Sequence, residues 1–167
     1  MKDKIIIGFV LLFAGLLVYV WLSPSGTQTA PDITLKTASG KSISIISTEK
    51  RPILINFWAT TCTTCLKEMP HLIELYKELH PKGLEIVGVS MSYDPPSQVM
   101  EMVKRKNIPY PIVFDLEKKI MHAFGMQRPL TPTTILVDPQ GNIALRALGM
   151  PDMAQLKEKI LTMLNKH

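Results

Sequence analysis

The only two cysteines of the chain, Cys62 and Cys65, stand at C-x-x-C spacing. An apolar, β-branched run from Ile53 to Phe57 precedes them, as expected of a buried strand, and apolar residues at helical spacing follow them. Both thiols are therefore predicted at a strand-to-helix junction. Unpaired N–H groups and the partial positive charge of a helix N-terminus stabilise a thiolate placed there. The spacing thus indicates reactive cysteines.

The sequence around this pair predicts alternating strands and helices. The predicted strands are 33–36, 42–46, 53–58, 84–90, 112–114, 133–138 and 143–148, and the predicted helices are 63–80, 96–106, 118–124 and 152–165. Pro70 falls inside the helix that follows the cysteines, where we expect a kink. The first two strands form a hairpin, and the strands on either side of the long helix are parallel. The fold class is α/β, a central mixed sheet flanked by helices.

The N-terminus predicts a membrane anchor. The run from Ile5 to Leu22 carries no charge and nearly spans a bilayer. It is longer than the apolar core of an ordinary signal peptide, and the sequence around Ala30 makes a poor cleavage site, so retention is favoured over removal. The predicted organisation is an anchor at 1–22, a Ser-, Thr- and Pro-rich linker at 23–31 and a domain at 32–167.

Charge and cysteine content limit the location and the partners. Lys2 and Lys4 precede the apolar run, and no basic residue follows it until Lys36, which orients the N-terminus to the cytoplasm and the domain outside it. An exported domain with two cysteines in one short motif has no framework of structural disulfides. The net charge of +5 is spread along the chain without an aromatic-interleaved basic stripe, which argues against nucleic-acid binding.

Three motifs in order resemble the thioredoxin fold: Trp58-Ala59-x-x-Cys62-x-x-Cys65, Pro70, and Thr131-Pro132-Thr133 before a strand. The anchor, the hairpin, the elements between Ser92 and Met126, and Glu68 three residues after Cys65 further resemble the TlpA-like family of ResA or CcmG type. These are membrane-anchored thiol-disulfide oxidoreductases.

The resemblance implies an activity and its partners. We expect reduction of disulfides in exported proteins such as apocytochrome c, with electrons from a membrane protein of DsbD or CcdA type. The expected location is the bacterial inner membrane with the domain facing the periplasm or the outside. No cofactor beyond the redox-active pair is expected.

Position in the sequence and the resemblance together predict roles for individual residues, and the roles of Thr131 and Pro132 rest on the resemblance alone. Cys62 is the attacking thiolate, and Cys65 resolves the mixed disulfide. Glu68 assists proton transfer at Cys65, since the two lie on one helical face. Pro132 follows a cis peptide bond and presents the backbone of Thr131 to the substrate, while Trp58 packs beneath the cysteine loop.

Some positions depart from the pattern of the superfamily. Thr61 stands before the first cysteine, where tryptophan is frequent, and Thr63-Thr64 between the cysteines lacks the frequent proline. Asn56 occupies the position of the buried aspartate of cytoplasmic thioredoxins and cannot accept a proton, so Glu68 is the candidate to replace it.

Two alternative functions remain open. A copper-delivery module could use Cys62 and Cys65 as ligands with a further soft or imidazole ligand, although the four methionines at apolar helical positions indicate core packing instead. A peroxiredoxin-like peroxidase is the second alternative, and the motif of that family resembles Pro-x-x-x-Thr-x-x-Cys. Counted back from Cys62, the proline and threonine positions hold Ile55 and Ala59, so neither motif residue is in place.

Overall fold

The computed structural model describes residues 13–15, 19, 28–46 and 49–165. Within these ranges no helix is both long enough and apolar enough to cross a bilayer. The predicted anchor from Ile5 to Leu22 lies almost wholly outside them and stays a prediction. At the end of the predicted linker, Thr29 forms a β-bridge with Asn142 and Ala30 is buried, so this part of the chain already packs against the domain.

The described residues form strands and helices at the predicted places, with bounds that differ by no more than two residues. The strands are β1 (Thr34–Lys36), β2 (Ser42–Ser44), β3 (Ile53–Trp58), β4 (Glu85–Ser90), β5 (Ile112–Phe114), β6 (Thr133–Val137) and β7 (Ile143–Leu148). The helices are α1 (Thr63–Leu79), α2 (Pro96–Lys106), α3 (Lys119–Ala123) and α4 (Met153–Leu164). Pro70 lies inside α1. The N-cap residue of α4 is Asp152, whose side chain accepts hydrogen bonds from two N–H groups at the start of the helix.

The main sheet has five strands in the order β5-β4-β3-β6-β7. Strands β3, β4 and β5 are parallel, while β6 is antiparallel to β3 and β7 to β6. Strands β1 and β2 pair separately as the predicted antiparallel hairpin. The prediction of a mixed α/β sheet is therefore confirmed, and β3 is its central strand.

Strand β3 is buried along its whole length because both faces of the sheet are covered. Its odd-numbered residues, Ile53, Ile55 and Phe57, pack with the hairpin and α3 in what we call the hairpin-side core. Its even-numbered residues Leu54 and Trp58 pack with α1, α2 and α4 in the helix-side core. The two-residue period of a strand therefore directs Asn56 to the face that carries α1.

Strand β4 contributes a glycine at a crowded place in the helix-side core. A Cβ atom at Gly88 would lie 2.9 Å from Cδ1 of Ile112, 3.1 Å from Nε1 of Trp58 and 3.2 Å from Cε2 of Tyr110. These separations are shorter than ordinary van der Waals contact. Glycine at this position lets Trp58 and Tyr110 approach the sheet beside Asn56, which is the register partner of Gly88.

We predict that Gly88→Ala lowers the free energy of unfolding by about 1–3 kcal/mol, as overpacking of a tight core does. Urea unfolding of the oxidised protein, followed by circular dichroism, measures the loss. Ile112→Val removes the Cδ1 atom that the new methyl group meets. On its own, Ile112→Val should lower the free energy of unfolding by about 0.5–1.5 kcal/mol. In the Gly88→Ala background it should lower it by less, because it also removes the steric conflict. Strict additivity of the two changes would contradict this steric explanation.

Candidate active site

Cys62 and Cys65 form a disulfide at the N-terminus of α1, with their Cα atoms 5.2 Å apart. Cys62 is the N-cap residue, and its backbone is extended at φ −85° and ψ 104°. Its Sγ atom accepts a hydrogen bond from the N–H of Cys65 at 3.1 Å. The sulfur thus occupies the place that an N-cap Ser or Asp oxygen takes in other helices. In the reduced protein the same N–H can stabilise a thiolate on Cys62.

The two sulfur-bearing residues differ in exposure. Cys62 is half-buried, whereas Cys65 is 2% exposed and belongs to the helix-side core. Trp58 is also 2% exposed and lies in the same cluster, as the predicted packing beneath the cysteine loop requires. An incoming molecule therefore meets Cys62 first.

Glu68 is a buried carboxylate, 1% exposed, one turn along α1 from Cys65. Its Oε1 accepts a hydrogen bond from the hydroxyl of Thr134 at 2.8 Å, and its Oε2 accepts one from Nδ2 of Asn56 at 3.2 Å. The same amide also donates to Oγ1 of Thr134 at 3.0 Å. Asn56 and Thr134 are paired across β3 and β6, so the carboxylate is bound by two neighbouring strands. A solvent-facing position for Glu68 is thereby excluded.

Burial raises the pKa of Glu68 above its ordinary value, because an ionised carboxylate loses its hydration there. The hydrogen bonds from Thr134 and Asn56, and the nearby charge of His71, lower the pKa and offset part of this effect. A carboxylate with a raised pKa accepts a proton more readily near neutral pH.

A second carboxylate, Asp94, fixes the loop that leads into Cys62. Its Oδ2 accepts from the backbone N–H of Thr60 at 2.6 Å, and its Oδ1 accepts from the hydroxyl of the same residue at 3.0 Å. Asp94 directly precedes Pro95 and Pro96, and α2 begins at Pro96, where the predicted helix 96–106 starts. The N-cap residue is Pro95, however, and the Asp94 side chain contacts the cysteine loop instead.

The bond between Thr131 and Pro132 is cis, as predicted. Pro132 directly precedes β6, whose first residue Thr133 pairs with Phe57 near the end of β3. Continuing this register brings Pro132 beside Trp58, where the cysteine loop begins. The carbonyl of Pro132 accepts from the N–H of Gly149 at 2.8 Å, which ties this loop to the end of β7.

Three polar residues near the site were missed in the sequence. Thr134 contacts Glu68, which lies 66 positions away in the sequence, and Asp94 contacts Thr60, which lies 34 positions away. No local sequence pattern indicates contacts over such separations. Tyr110 is 4% exposed, and its pKa is raised first by burial and then by the charge of Glu68. In the sequence, only its position between Pro109 and Pro111 distinguishes Tyr110 from the other tyrosines.

The arrangement can perform thiol-disulfide exchange. It combines an accessible sulfur at a helix N-terminus, a second sulfur bonded to it and a buried carboxylate on the same helix. Among the residues described, no group of three or more His, Cys, Asp or Glu side chains is arranged to hold a metal ion.

Comparison with known proteins relates the chain to thiol-disulfide oxidoreductases. The profile of the AhpC/TSA family matches residues 27–146. The chain is 38% identical over 122 residues to the thiol-disulfide oxidoreductase ResA of Halalkalibacterium halodurans, an alignment that covers 73% of this chain and 67% of that protein.

Solved structures agree with this similarity. The solution structure of a candidate thioredoxin from Neisseria meningitidis superposes with a TM-score of 0.75 at 30% identity and covers 84% of this chain and 92% of that one. The crystal structure of StoA from Bacillus subtilis gives a TM-score of 0.64 at 26% identity, over 81% of this chain and 98% of that one.

The raised pKa of Glu68 predicts a pH-dependent cost of folding. Between the pKa of the unfolded chain, near 4.5, and the higher pKa of the folded protein, the folded state holds more protons, so stability falls as pH rises. Glu68→Gln cannot ionise and should escape this loss. The free energy of unfolding of the variant relative to the parent should therefore rise with pH across this window. Urea unfolding of both oxidised proteins at several pH values measures the difference.

The matched control is Glu74→Gln, which removes an exposed carboxylate from the same helix. An equal pH dependence in the two variants would show that the burial of Glu68 is not the cause.

Proposed function

Because the chain belongs to the AhpC/TSA family and to the ResA-type thiol-disulfide oxidoreductases, we propose that it reduces disulfides of exported proteins outside the cytoplasm. The observation that carries the proposal is the Cys62–Cys65 pair at the start of α1 with the buried carboxylate of Glu68 on the same helix. The chemistry of the pair runs in either direction, so the direction needs a separate argument.

The surroundings of the pair favour a reductant. A dithiol protein is a strong oxidant when its reduced form is stabilised. Here the dipeptide between the cysteines, Thr63-Thr64, brings no cation, and stabilisation of a Cys62 thiolate rests on the N–H of Cys65 and the helix terminus. The buried carboxylate of Glu68 lies on the Cys65 side and opposes further negative charge there. The helix terminus supports a Cys62 thiolate, but no cation between the cysteines adds to that support, and Glu68 disfavours a thiolate on Cys65. The reduced pair is therefore less stabilised than that of a strong oxidant, which lowers its potential.

The proposed reaction starts from the reduced protein. The Cys62 thiolate attacks one sulfur of a client disulfide, which breaks that bond, forms a mixed disulfide and releases the other client sulfur as a thiolate that takes up a proton. Cys65 then loses its proton and attacks Sγ of Cys62. The client leaves with its second thiol, and two electrons have passed to it from the Cys62/Cys65 pair.

Glu68 is proposed as the acceptor of the Cys65 proton. Cys65 is buried, so water cannot easily take its proton, and Glu68, the first carboxylate of α1, lies on the same helical face. Asn56 and Thr134 hold this carboxylate at the sheet. The proposed substrate contacts are the exposed edge of Cys62, the backbone of Thr131 beside Pro132, and the loop supported by Trp58.

The proposed location and partners rest on the sequence. The apolar run from Ile5 to Leu22, preceded by Lys2 and Lys4, supports a single-pass anchor with the domain on the outer face of the bacterial inner membrane. Apocytochrome c is the proposed type of client. A membrane protein of DsbD or CcdA type is the proposed source of electrons.

The proposal predicts a reducing potential for the Cys62/Cys65 pair. We expect a midpoint reduction potential below roughly −200 mV for the Cys62/Cys65 pair. It is measured by equilibrating the full-length protein, in a neutral detergent, with glutathione or dithiothreitol buffers. Alkylation of free thiols followed by mass spectrometry reads the oxidised fraction. A value near about −120 mV, typical of a dedicated oxidant, would refute the proposed direction.

The proposed role of Glu68 predicts a slow resolving step without it. Glu68→Gln should lower the rate of client reduction by about a hundredfold, the lower end for loss of a general acid-base group, and should change the pH profile of the rate. Stopped-flow measurement with a disulfide peptide separates formation of the mixed disulfide from its resolution. The first step should keep its rate. Equal rates for Glu68→Gln, Glu74→Gln and the parent would remove Glu68 from the mechanism.

A further inference from the structure

A groove of about 370 Å³ lies next to the Thr131-Pro132 loop, on the hairpin side of the sheet. One wall is the segment between α3 and β6, and the other is the edge strand β7. The lining residues are Gly125, Met126, Gln127, Arg128, Leu130, Thr133, Arg146 and Leu148. Nothing in the redox mechanism uses this groove.

The walls of the groove are held in place by hydrogen bonds. Nη2 of Arg146 donates to the carbonyl of Phe124 at 2.9 Å, which fastens β7 to the end of α3. The hydroxyl of Thr133 donates to the carbonyl of Leu130 at 2.7 Å, which fastens the other end of the loop to β6. The groove is therefore part of the folded framework and is continuous with the loop that carries Pro132.

Apolar side chains remain uncovered at this place. Leu130 is 47% exposed, Leu148 is 67% exposed and Met150 is 45% exposed. Leu148 is the register partner of Thr133, and Gly149, between Leu148 and Met150, bonds to Pro132. Three large apolar residues exposed around one loop beside a reactive disulfide indicate a surface that a partner covers.

The charge of the groove is of one sign. Arg128 and Arg146 line it, and no acidic residue does. Neither arginine forms an ion pair with a carboxylate within the described part of the chain, and only one of the five guanidinium N–H donors of Arg146 is used in its bond to Phe124. Carboxylates are the partners that suit such donors.

We propose that this groove binds an extended segment of the client protein that carries an acidic side chain close to its target cysteine, with a neighbouring apolar side chain against Leu130 and Leu148. The inference rests on the proposed function, since the client is the protein whose disulfide Cys62 attacks. In this proposal Arg128 and Arg146 determine which clients are preferred, whereas the cysteine pair reacts with any accessible disulfide.

The test uses short peptides that contain a C-x-x-C disulfide, with Glu, Gln or Lys placed in turn at each flanking position. For reduction by the full-length protein in neutral detergent, the best Glu peptide should exceed its Lys counterpart in kcat/KM by at least about fivefold, a typical effect of exposed charge pairs acting together. Arg128→Glu should abolish this preference, because the new carboxylate offsets the charge of Arg146. Higher salt should weaken the preference.

Arg105→Glu is the matched control, because it makes the same change of charge at the exposed end of α2. The proposed role of the groove is refuted if the parent protein reduces Glu and Lys peptides equally. It is also refuted if Arg128→Glu and Arg105→Glu shift the preference by the same amount. In the latter case only the net charge of the protein matters.

A binding measurement separates this inference from the proposed function. A variant with Cys62→Ser and Cys65→Ser cannot exchange disulfides, yet it should bind fluorescent Glu peptides more tightly than Lys peptides, and Arg128→Glu should abolish the difference. If the active protein reduces none of the peptides, the reductase proposal fails while this binding result still decides the groove. Equal binding of both peptides overturns the groove even when reduction is observed.

Discussion

The carboxylate of Glu68 joins helix α1 to the centre of the sheet. Burying a carboxylate costs several kcal/mol unless hydrogen bonds replace its water. Here the replacement comes from Asn56 on β3 and Thr134 on β6, which are paired with each other across the sheet. The depth and rotation of α1 are thus fixed by a polar contact in an otherwise apolar interface. Since Cys62 caps the same helix, this contact also sets where the disulfide lies.

The cysteine loop is held from several distant parts of the chain. Asp94, after β4, binds Thr60, and the Pro132 loop lies beside the end of β3 and is tied to β7 through Gly149. A disulfide that opens and closes during each turnover needs such support, because the reduced protein lacks the covalent link between Cys62 and Cys65. Asp94 and the Pro132 loop thus support the cysteine loop through contacts other than the bond that the reaction makes and breaks.

The sequence predicts the elements well and the polar contacts poorly, for a physical reason. Strand β3 and helix α1 follow from local apolar periodicity, and Cys62, Cys65 and Pro132 follow from short motifs. Contacts such as Thr134 with Glu68 join residues whose proximity depends on strand order and register, which a single sequence does not state. Asp94 illustrates the difference, since its position before two prolines predicts a helix start while its carboxylate contacts a loop 34 positions earlier.

The alternation of side chains along β3 separates redox chemistry from client recognition. Asn56 and Trp58 face α1, where the cysteines and Glu68 lie, whereas Ile55 and Phe57 face the hairpin side, where Phe124 and Met126 lead into the arginine-lined groove. A substitution at Arg128 changes an exposed loop and leaves the buried network of Glu68 untouched. One strand therefore supports two surfaces that can change independently. Under the proposed role of the groove, changes at Arg128 and Arg146 alter the choice of client and leave the cysteine pair and the buried carboxylate in place.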